Sequence, residues 1–240
     1  MRVYPAIDLF EGKVVRLEQG DFNRQTVYSE DPAAFAQKWE KEGAEWLHVV
    51  DLEGAKTGIL KNRDSLRKIR RSVKAKIQFG GGLRRLEDIE AILAEGIDRV
   101  ILGTKALEPE FFDKAVARFG GRMAVGLDIK DGLVQTQGWL QAAQADLDSA
   151  VERFNNSPLE MLIYTDIKKD GMLEGPNFEA LGRVLARAKA RVILSGGVGK
   201  LRDLEACRKI DQKNFEGVIV GKALYESKFS LADALAVTKS

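Results

Sequence analysis

The sequence predicts an α/β protein, a (β/α)8 TIM barrel formed by one domain over residues 1–240. Three observations predict this fold: short β-branched runs alternate with amphipathic stretches, eight such units fit within 240 residues, and the two halves of the chain repeat each other. A doubly wound open sheet is the alternative, but it would need fewer strands or more residues. No Pro/Ser-rich linker interrupts the pattern, which indicates a single domain.

The predicted strands are short runs rich in Val, Ile and Leu. Each is followed by a stretch with helical spacing of apolar residues, as a parallel barrel requires. The strands are predicted near Val3–Asp8, Trp46–Asp51, Lys76–Phe79, Arg99–Leu102, Met123–Asp128, Met161–Asp166, Arg191–Leu194 and Gly217–Val220.

Capping residues predict where several helices begin and end. Asp31 and Pro32 provide an N-cap and a first-turn proline, and Gly43 ends that helix. The other predicted boundaries are a helix at Leu86–Leu93 closed by Gly96, a helix beginning after Asn177 at Phe178, and a last helix beginning at Ser230.

Four motifs of the first half recur in the same order in the second half, which predicts two duplicated half-barrels of four strands each. A repeat near 118 residues is too long for a solenoid unit. The pairs are Ala6–Leu9 with Gly126–Ile129 at offset 120, Val49–Leu52 with Tyr164–Ile167 at offset 115, Gly80–Gly82 with Ser195–Gly197 at about 115, and Leu102–Thr104 with Val220–Lys222 at 118.

Composition excludes several classes of function. The chain has 38 Lys and Arg against 36 Asp and Glu, and a net charge of +2 argues against a nucleic-acid binder. The apolar runs are too short to span a bilayer, and no signal peptide is recognised at the N-terminus. The single cysteine, Cys207, excludes an internal disulfide, and the single histidine, His48, makes a zinc site or a Ser-His-Asp triad improbable. We therefore expect a cytoplasmic globular protein whose acid-base chemistry depends mainly on carboxylates.

Glycine clusters follow the third, fourth, seventh and eighth predicted strands. Glycine lets the backbone approach a ligand closely, and the freed amides cradle an anion together with a helix N-terminus. Two opposed cradles predict a ligand with a phosphate at each end, although a single Gly-Gly pair more often makes only a tight turn. The candidate phosphate-binding residues are Gly81, Gly82, Gly103 and Thr104 on one side, and Gly196, Gly197, Gly221 and Lys222 on the other.

Two aspartates end the first and fifth predicted strands. Strands four apart in a ring of eight lie opposite each other, so Asp8 and Asp128 are expected to face each other across the barrel mouth. Such a pair can provide a general base and a general acid, provided that burial or a like charge keeps the acid protonated. For Asp51 and Asp166, which end the second and sixth strands, capping of the next helix or bonding to loop amides is the favoured interpretation.

The motifs along essentially the whole chain resemble one family, the phosphoribosylformimino-5-aminoimidazole carboxamide ribotide (ProFAR) isomerases of histidine biosynthesis. The resemblance implies an Amadori rearrangement of a bisphosphorylated aminoaldose, without cofactor or metal. The matching segments are Ala6–Leu17, Gln19–Asp21, His48–Leu52, Gly80–Arg84, Gly126–Asp128, Gly138–Trp139, Thr165–Gly171, Ser195–Val198 and Val218–Leu224.

The resemblance also implies a role for individual residues. Asp8 corresponds to the base that removes the proton from sugar C2, Asp128 to the acid that opens the furanose, and Thr165 to a helper of that acid. A lone histidine such as His48 is more often a satisfied core residue, but its strand parity allows it to point inward beside Thr165. Trp139 is expected to stack on the imidazole when its loop closes. The implied substrate contacts are Arg16, His48, Trp139 and Asp170.

Three alternatives stay open from the sequence. The sister cyclase of the same pathway shares the aspartates and the phosphate sites, but Ile7 and Arg16 favour the isomerase. Relatives that also isomerise phosphoribosylanthranilate carry an arginine two residues before the loop tryptophan, whereas this chain has Gln137, which predicts weak or no activity on that substrate. A non-catalytic phosphosugar-binding barrel would keep the glycines but need not keep two facing carboxylates. We expect a monomer that binds neither nucleic acid nor membrane.

Overall fold

The computed structural model describes residues 1–18, 21–136 and 141–239, with side chains described for all of these except 18, 21–23 and 141–145. The strands in chain order are β1 (Arg2–Phe10), β2 (Lys13–Glu18), β3 (Asp21–Ser29), β4 (Trp46–Asp51), β5 (Lys76–Gly80), β6 (Arg99–Leu102), β7 (Met123–Lys130), β8 (Leu133–Thr136), β9 (Gln141–Asp146), β10 (Met161–Asp166), β11 (Arg191–Ser195) and β12 (Phe215–Val220). The helices are α1 (Pro32–Lys41), α2 (Leu52–Thr57), α3 (Arg63–Ser72), α4 (Leu86–Ala94), α5 (Pro109–Phe119), α6 (Leu147–Asn155), α7 (Phe178–Arg187), α8 (Leu201–Arg208), α9 (Lys222–Tyr225) and α10 (Leu231–Lys239), with 3-10 turns at Thr104–Leu107 and Gly120–Arg122.

Eight of these strands are parallel and form a closed ring. Their order is β1-β4-β5-β6-β7-β10-β11-β12, and the pairing of β12 with β1 closes it. The predicted (β/α)8 barrel is therefore confirmed, and every predicted strand matches a barrel strand to within two residues at either end. We call β1, β4, β5 and β6 the first half-barrel, and β7, β10, β11 and β12 the second; their origin by duplication stays a prediction.

Antiparallel strands extend the barrel after β1 and after β7. β1 turns into β2 through Glu11 and Gly12, and β7 turns into β8 through Asp131 and Gly132. All four residues have positive φ, from 48° to 80°, as two-residue type I′ hairpin turns require. These hairpins, completed by β3 and β9, were not predicted, although Asp131-Gly132 is a strong hairpin signal.

The predicted helix caps are confirmed where the structure describes them. The Asp31 carboxylate accepts two backbone amide bonds at the start of α1, and the Asn177 side chain accepts one at the start of α7. Ser230 exchanges hydrogen bonds with the first turn of α10. Gly43 and Gly96 follow α1 and α4 in the left-handed region, with φ of 102° and 89°.

Two apolar clusters hold the barrel together. The larger lies between the strands and the surrounding helices, and on β4 it takes Leu47 and Val49, which are both fully buried. Burial of such a side chain contributes about 1.5–3 kcal/mol. The alternate β4 residues, His48 and Val50, point into the barrel and line its upper cavity. The smaller cluster fills the barrel interior with Tyr4, Ala6, Ile101, Ala124, Met161, Ile163, Ile193 and Ile219.

Candidate active site

A cavity of about 690 Å³ opens at the carboxyl ends of the barrel strands. This is the face on which parallel barrels carry their active sites. Trp139 lies outside the described residues. Every other site residue predicted from the sequence lines this cavity: Asp8, Arg16, His48, Gly81, Gly82, Gly103, Thr104, Asp128, Thr165, Asp170, Gly196, Gly197, Gly221 and Lys222.

Asp8 lies on the β1 wall and is paired with an arginine from the adjoining hairpin. Arg16 Nη1 donates to Asp8 Oδ2 at 2.6 Å, and Arg16 Nη2 lies 3.4 Å from Asp170 Oδ2. Burial raises the pKa of Asp8 above its ordinary value of 3.8; the Arg16 charge opposes this effect, and the Asp170 charge adds to it. Asp8 is therefore a carboxylate whose proton affinity is higher than that of an exposed aspartate.

The Arg16 guanidinium is itself held in place from several sides. It approaches the Tyr225 ring, with Cζ 6.0 Å from the centroid, and its Nε is buried without a hydrogen-bond partner among the described residues. Desolvation lowers the pKa of Arg16, but the Asp8 and Asp170 charges together raise it by more than this loss. The pKa is therefore raised overall, and the residue stays cationic. A Cβ on Gly221 would lie 2.9 Å from Arg16 Cζ, so glycine there leaves room for the guanidinium.

Asp128 lies on the opposite wall, on β7, which is four strands from β1 in the ring. It is partly exposed to the cavity, whereas Asp8 is 8% exposed. Thr165 is directly beside it, because Thr165 and Asp128 are paired in register on β10 and β7. The expectation that the two aspartates face each other across one cavity therefore agrees with the barrel order.

The first glycine turn follows β5 and packs tightly on the end of β4. Gly81 has φ of 103°, and a Cβ there would meet Asp51 O at 2.1 Å, so only glycine fits. The Asp51 carboxylate is fully buried and accepts from the amides of Gly54 and Asn62 and from the Asn62 side chain. Asp51 therefore caps the α2 turn and fixes the loop, as the favoured interpretation predicted.

The second glycine turn, after β11, repeats this arrangement on the end of β10. Gly196 has φ of 93°, and a Cβ there would meet Asp166 O at 2.8 Å. Asp166 accepts from the Lys168 amide and from Asn177 Nδ2. Asp166 thus bonds to a loop amide, whereas the cap of the next helix is Asn177. The two turns are 115 residues apart.

Gly103 and Gly221 end β6 and β12, and each begins a short helical turn. The first amides of a helical turn have no acceptor within the turn and carry a partial positive charge that favours anions. Together with the glycine turns after β5 and β11, they form two candidate anion-binding regions on opposite sides of the ring. Lys222 adds a cation to the second region and lies 3.7 Å from Glu226.

His48 is the imidazole of the site. Its Nδ1 lies 2.9 Å from Gln78 Nε2 on the neighbouring strand. Burial, and then the Arg16 charge, lower the pKa of His48 to about 3. His48 points inward, as its strand parity predicted, and lines the cavity. Thr165 lines the same cavity from β10, which is four strands from β4 in the ring, so the two side chains are not neighbours.

Three residues of the site were not among those predicted. Arg84 lines the cavity beside the first glycine turn, and its guanidinium packs over Gly58. The sequence contained a signal for Arg84, because this cation lies two residues after a predicted anion-binding turn. Tyr225 donates to Ala6 O at 2.7 Å beneath Arg16, and burial raises its pKa. Tyr225 has no sequence signal, and Gln78 has only that of a polar residue in an apolar strand, since their partners are distant in the sequence.

The described residues contain neither a candidate metal-binding cluster nor a candidate membrane-spanning helix. Within these ranges, no cluster of three or more His, Cys, Asp or Glu side chains is suited to a metal ion. None of the helices there combines the length and the apolar character needed to cross a bilayer. Cys207 is buried, and burial raises the pKa of its thiol to about 12.

Comparisons with known proteins cover the whole chain. Residues 2–230 match the family model described as "Histidine biosynthesis protein". A protein of Desulforudis audaxviator named 1-(5-phosphoribosyl)-5-((5-phosphoribosylamino)methylideneamino) imidazole-4-carboxamide isomerase is 47% identical, over 100% of this chain and 92% of its own length. Proteins with the same name from Geotalea daltonii and Thermodesulfovibrio yellowstonii are 46% and 45% identical, each over 100% of this chain and 98% of their own length. The barrel, its cavity and these full-length similarities agree, and the chain belongs to the histidine biosynthesis protein family.

Proposed function

We propose that this protein is a ProFAR isomerase, which converts the aminoaldose ProFAR into the aminoketose PRFAR by an Amadori rearrangement. The observation that carries the proposal is the arrangement of one cavity: two anion-binding glycine regions on opposite sides, with Asp8 and Asp128 on facing walls between them. A substrate with a phosphate at each end fits this arrangement. The names of the full-length relatives support the same reaction.

In the proposed mechanism, Asp128 donates a proton to the ring oxygen of the aminoaldose. The C1–O bond then breaks, and the nitrogen lone pair forms a protonated Schiff base at C1. Asp8 removes the proton from C2, which gives an enolamine. Protonation at C1 and loss of the proton from the C2 hydroxyl give the aminoketose, so that no redox or metal chemistry is required. Thr165, adjacent to Asp128 in the barrel, orients the acid.

The surroundings of Asp8 suit the role of base. A raised pKa gives its carboxylate more affinity for a carbon-bound proton than an exposed aspartate has. Arg16 engages Oδ2 and leaves Oδ1 for the substrate. Arg16, His48 and Asp170 are proposed to contact the middle of the substrate, Trp139 to cover it, and the residues of the two glycine regions to bind the phosphates.

The decisive test compares two reactions of the purified chain. Incubated with the aminoaldose alone, it is expected to form the aminoketose, as followed by chromatography. Incubated with the aminoketose and ammonia, it is expected to form no imidazole product, which separates it from the sister cyclase. A chain that binds the aminoaldose but never converts it would be a phosphosugar-binding barrel, and the proposal would be wrong.

We also propose weak or no activity on phosphoribosylanthranilate, because Gln137 lacks the charge of a guanidinium. Gln137 lies outside the described residues. The protein is further proposed to act as a cytoplasmic monomer without cofactor, nucleic-acid or membrane partner. An assay with phosphoribosylanthranilate and size-exclusion chromatography with light scattering test these two proposals separately.

A further inference from the structure

A row of three polar side chains crosses the barrel interior at the level of the cavity floor. His48 pairs in register with Gln78 across β4 and β5, and Gln78 pairs with Arg99 across β5 and β6. Gln78 is fully buried, and Arg99 is 7% exposed. Buried polar side chains are costly unless their hydrogen bonds are satisfied. The hydrogen bonds within this row therefore determine which of its atoms carry protons.

The chemistry of the three groups fixes the direction of each bond. Arg99 Nη1 lies 3.1 Å from Gln78 Oε1, and a guanidinium can only donate. The Gln78 amide oxygen therefore faces Arg99, and its NH2 group faces His48 Nδ1 at 2.9 Å. Because an amide NH2 also only donates, Nδ1 is the acceptor and carries no proton. The proton of the neutral imidazole is thus on Nε2.

The other ring nitrogen is open to the cavity. Among the residues described, Gln78 is the hydrogen-bond partner of the His48 ring, and Nε2 is not one of the buried polar atoms left without a partner. Nε2 is therefore reached from the cavity that His48 lines. Arg16 from β2 acts electrostatically on the imidazole. Asp8 on β1 lines the same cavity, and Arg99 on β6 lies behind Gln78.

Arg99 is in turn anchored on its other faces. Its guanidinium lies over the Trp46 ring, with Cζ 4.5 Å from the centroid, and acts electrostatically on the Tyr4 hydroxyl. Tyr4 donates to Glu216 Oε1 at 3.1 Å. Rotation of the Gln78 amide would place its NH2 against this fixed cation, so the amide has one favourable orientation.

We propose that Gln78 and Arg99 are positioning residues that keep His48 a neutral imidazole, with its Nε2–H donating into the cavity to an oxygen of the substrate beside Asp8. The substrate part of this statement rests on the proposed function. A neutral imidazole N–H donates a hydrogen bond without giving up its proton, which leaves proton transfer to the carboxyl groups. An imidazolium at the same place would be an acid competing with Asp128 and an additional anion site between two phosphates.

The single histidine of the chain makes the inference directly measurable. In protein labelled with 15N-histidine, two-bond 1H–15N correlation spectra of the substrate-free enzyme distinguish the two tautomers without assignment. The expected result is the Nε2–H tautomer from pH 5 to pH 8 with no titration. A protonated Nδ1 in the neutral form, or a titration near the ordinary pKa of 6.5, would overturn the proposal.

Gln78→Glu tests the positioning role itself. A carboxylate accepts from both neighbours, so His48 Nδ1 is expected to gain a proton and the His48 pKa to rise into the range of pH 5–8. The matched control is Gln37→Glu on the exposed face of α1, which makes the same charge change and is expected to leave the spectrum and the turnover unchanged. An unchanged His48 spectrum in folded Gln78→Glu would contradict the inference.

Kinetics supply the second readout. Gln78→Leu, which removes the donor to Nδ1, is expected to lower kcat/KM about 10- to 100-fold while the far-UV circular dichroism stays that of the wild type. If Gln78→Leu does not fold, the wild-type spectrum still decides the matter. The spectrum needs no substrate, so a chain with the Nε2–H tautomer but no isomerase activity would refute only the proposed function.

Discussion

At one level of the barrel interior, the first half-barrel carries three polar side chains, and the second carries two isoleucines and a glycine. Both rows lie on three neighbouring strands that pair in register, β4-β5-β6 and β10-β11-β12. The second row shows that the barrel closes at this level without hydrogen-bonding groups, so the polarity of the first row is not a requirement of the fold. The two rows are His48, Gln78 and Arg99 in the first half, and Ile163, Ile193 and Gly217 in the second.

In the loops, by contrast, the two halves have the same residues in the same arrangement. A buried or half-buried aspartate ends a strand, an asparagine 11 residues later donates to it, and a glycine of positive φ packs on its carbonyl. The residues that the two halves share therefore fix the backbone of the loops. The residues that differ between the halves are those for which we expect different chemical roles. The two sets are Asp51, Asn62 and Gly81, and Asp166, Asn177 and Gly196.

The largest expected effect concerns the aspartates, which occupy corresponding positions but differ in role. Asp8→Asn and Asp128→Asn should each lower turnover of the aminoaldose about 10²- to 10⁴-fold, because each removes one proton-transfer group. The control, Asp131→Asn, changes an exposed aspartate in the β7–β8 turn and should retain turnover. Wild-type rates in either site variant would show that only one half supplies the chemistry.

Glycine substitutions test whether the shared turns are equally tight. Gly81→Ala should destabilise the fold by at least about 3 kcal/mol and Gly196→Ala by about 1–3 kcal/mol, because the added Cβ meets a carbonyl oxygen at a shorter distance in the first half. Gly182→Ala, in the exposed part of α7 with no atom within 4 Å, should be neutral or slightly stabilising. Urea unfolding measures all three, and equal losses at both turns would contradict the ranking.

The sequence was sufficient for the features that both halves share. Strand periodicity placed Asp8 and Asp128 at the rim, and the repeat placed the glycine turns, since both are local patterns duplicated along the chain. Gln78 is different: between Ile77 and Phe79 it has only the signal of an inward-facing polar residue. The role of Gln78 follows from its hydrogen bonds to His48 and Arg99, which depend on the register of three strands and cannot be read from a local sequence pattern.

The hairpins after β1 and β7 were missed for a different reason. The residues after Asp8 and Asp128 were predicted to be loops, although a Gly at the second turn position marks each hairpin. The hairpin places Arg16 on Asp8, and the pKa of Asp8 depends on that contact. Sequence alone therefore located the candidate base but not its electrostatic partner.

Asp8 is paired with Arg16, and Asp128 has no arginine at the corresponding position. Thr136 takes the place on β8 that Arg16 has on β2, so only Asp8 is paired with a guanidinium in its hairpin. Arg16→Met removes a charge that lowers the Asp8 pKa, so that pKa should rise further above its ordinary value. Because the base must be ionised, the acidic limb of the kcat/KM profile should move to higher pH by the same amount. The control, Arg85→Met, changes an exposed arginine and should leave the acidic limb in place. If the limb does not move in Arg16→Met, the limb does not report the ionisation of Asp8.

The asparagines provide a smaller, purely structural comparison. Asn62 donates to Asp51 and Glu53 and accepts from the Gly12 amide, and it is 2% exposed. Asn177 donates to Asp166 and accepts one amide at the start of α7. Asn62→Ala should therefore cost about 2–4 kcal/mol of unfolding free energy and Asn177→Ala about 1–2 kcal/mol. Equal costs in chemical denaturation would show that the additional bonds of Asn62 contribute nothing.

The last prediction concerns the polar row and is read from the pH dependence of stability rather than from turnover. His48→Ile installs the residue type that the second half carries at the corresponding position, Ile163. Folding lowers the His48 pKa from 6.5 to about 3, so between these values the unfolded chain binds a proton that the folded protein does not. The wild type should therefore lose up to about 1.4 kcal/mol per pH unit on acidification in this window, in addition to the losses from other groups. In His48→Ile this contribution is absent, so the difference in unfolding free energy between the two proteins should be constant above pH 7 and should shift in favour of the variant below pH 6. A difference independent of pH from 8 to 4 would mean that His48 titrates alike in both states, and the contrast between the two half-barrels would then carry no electrostatic consequence.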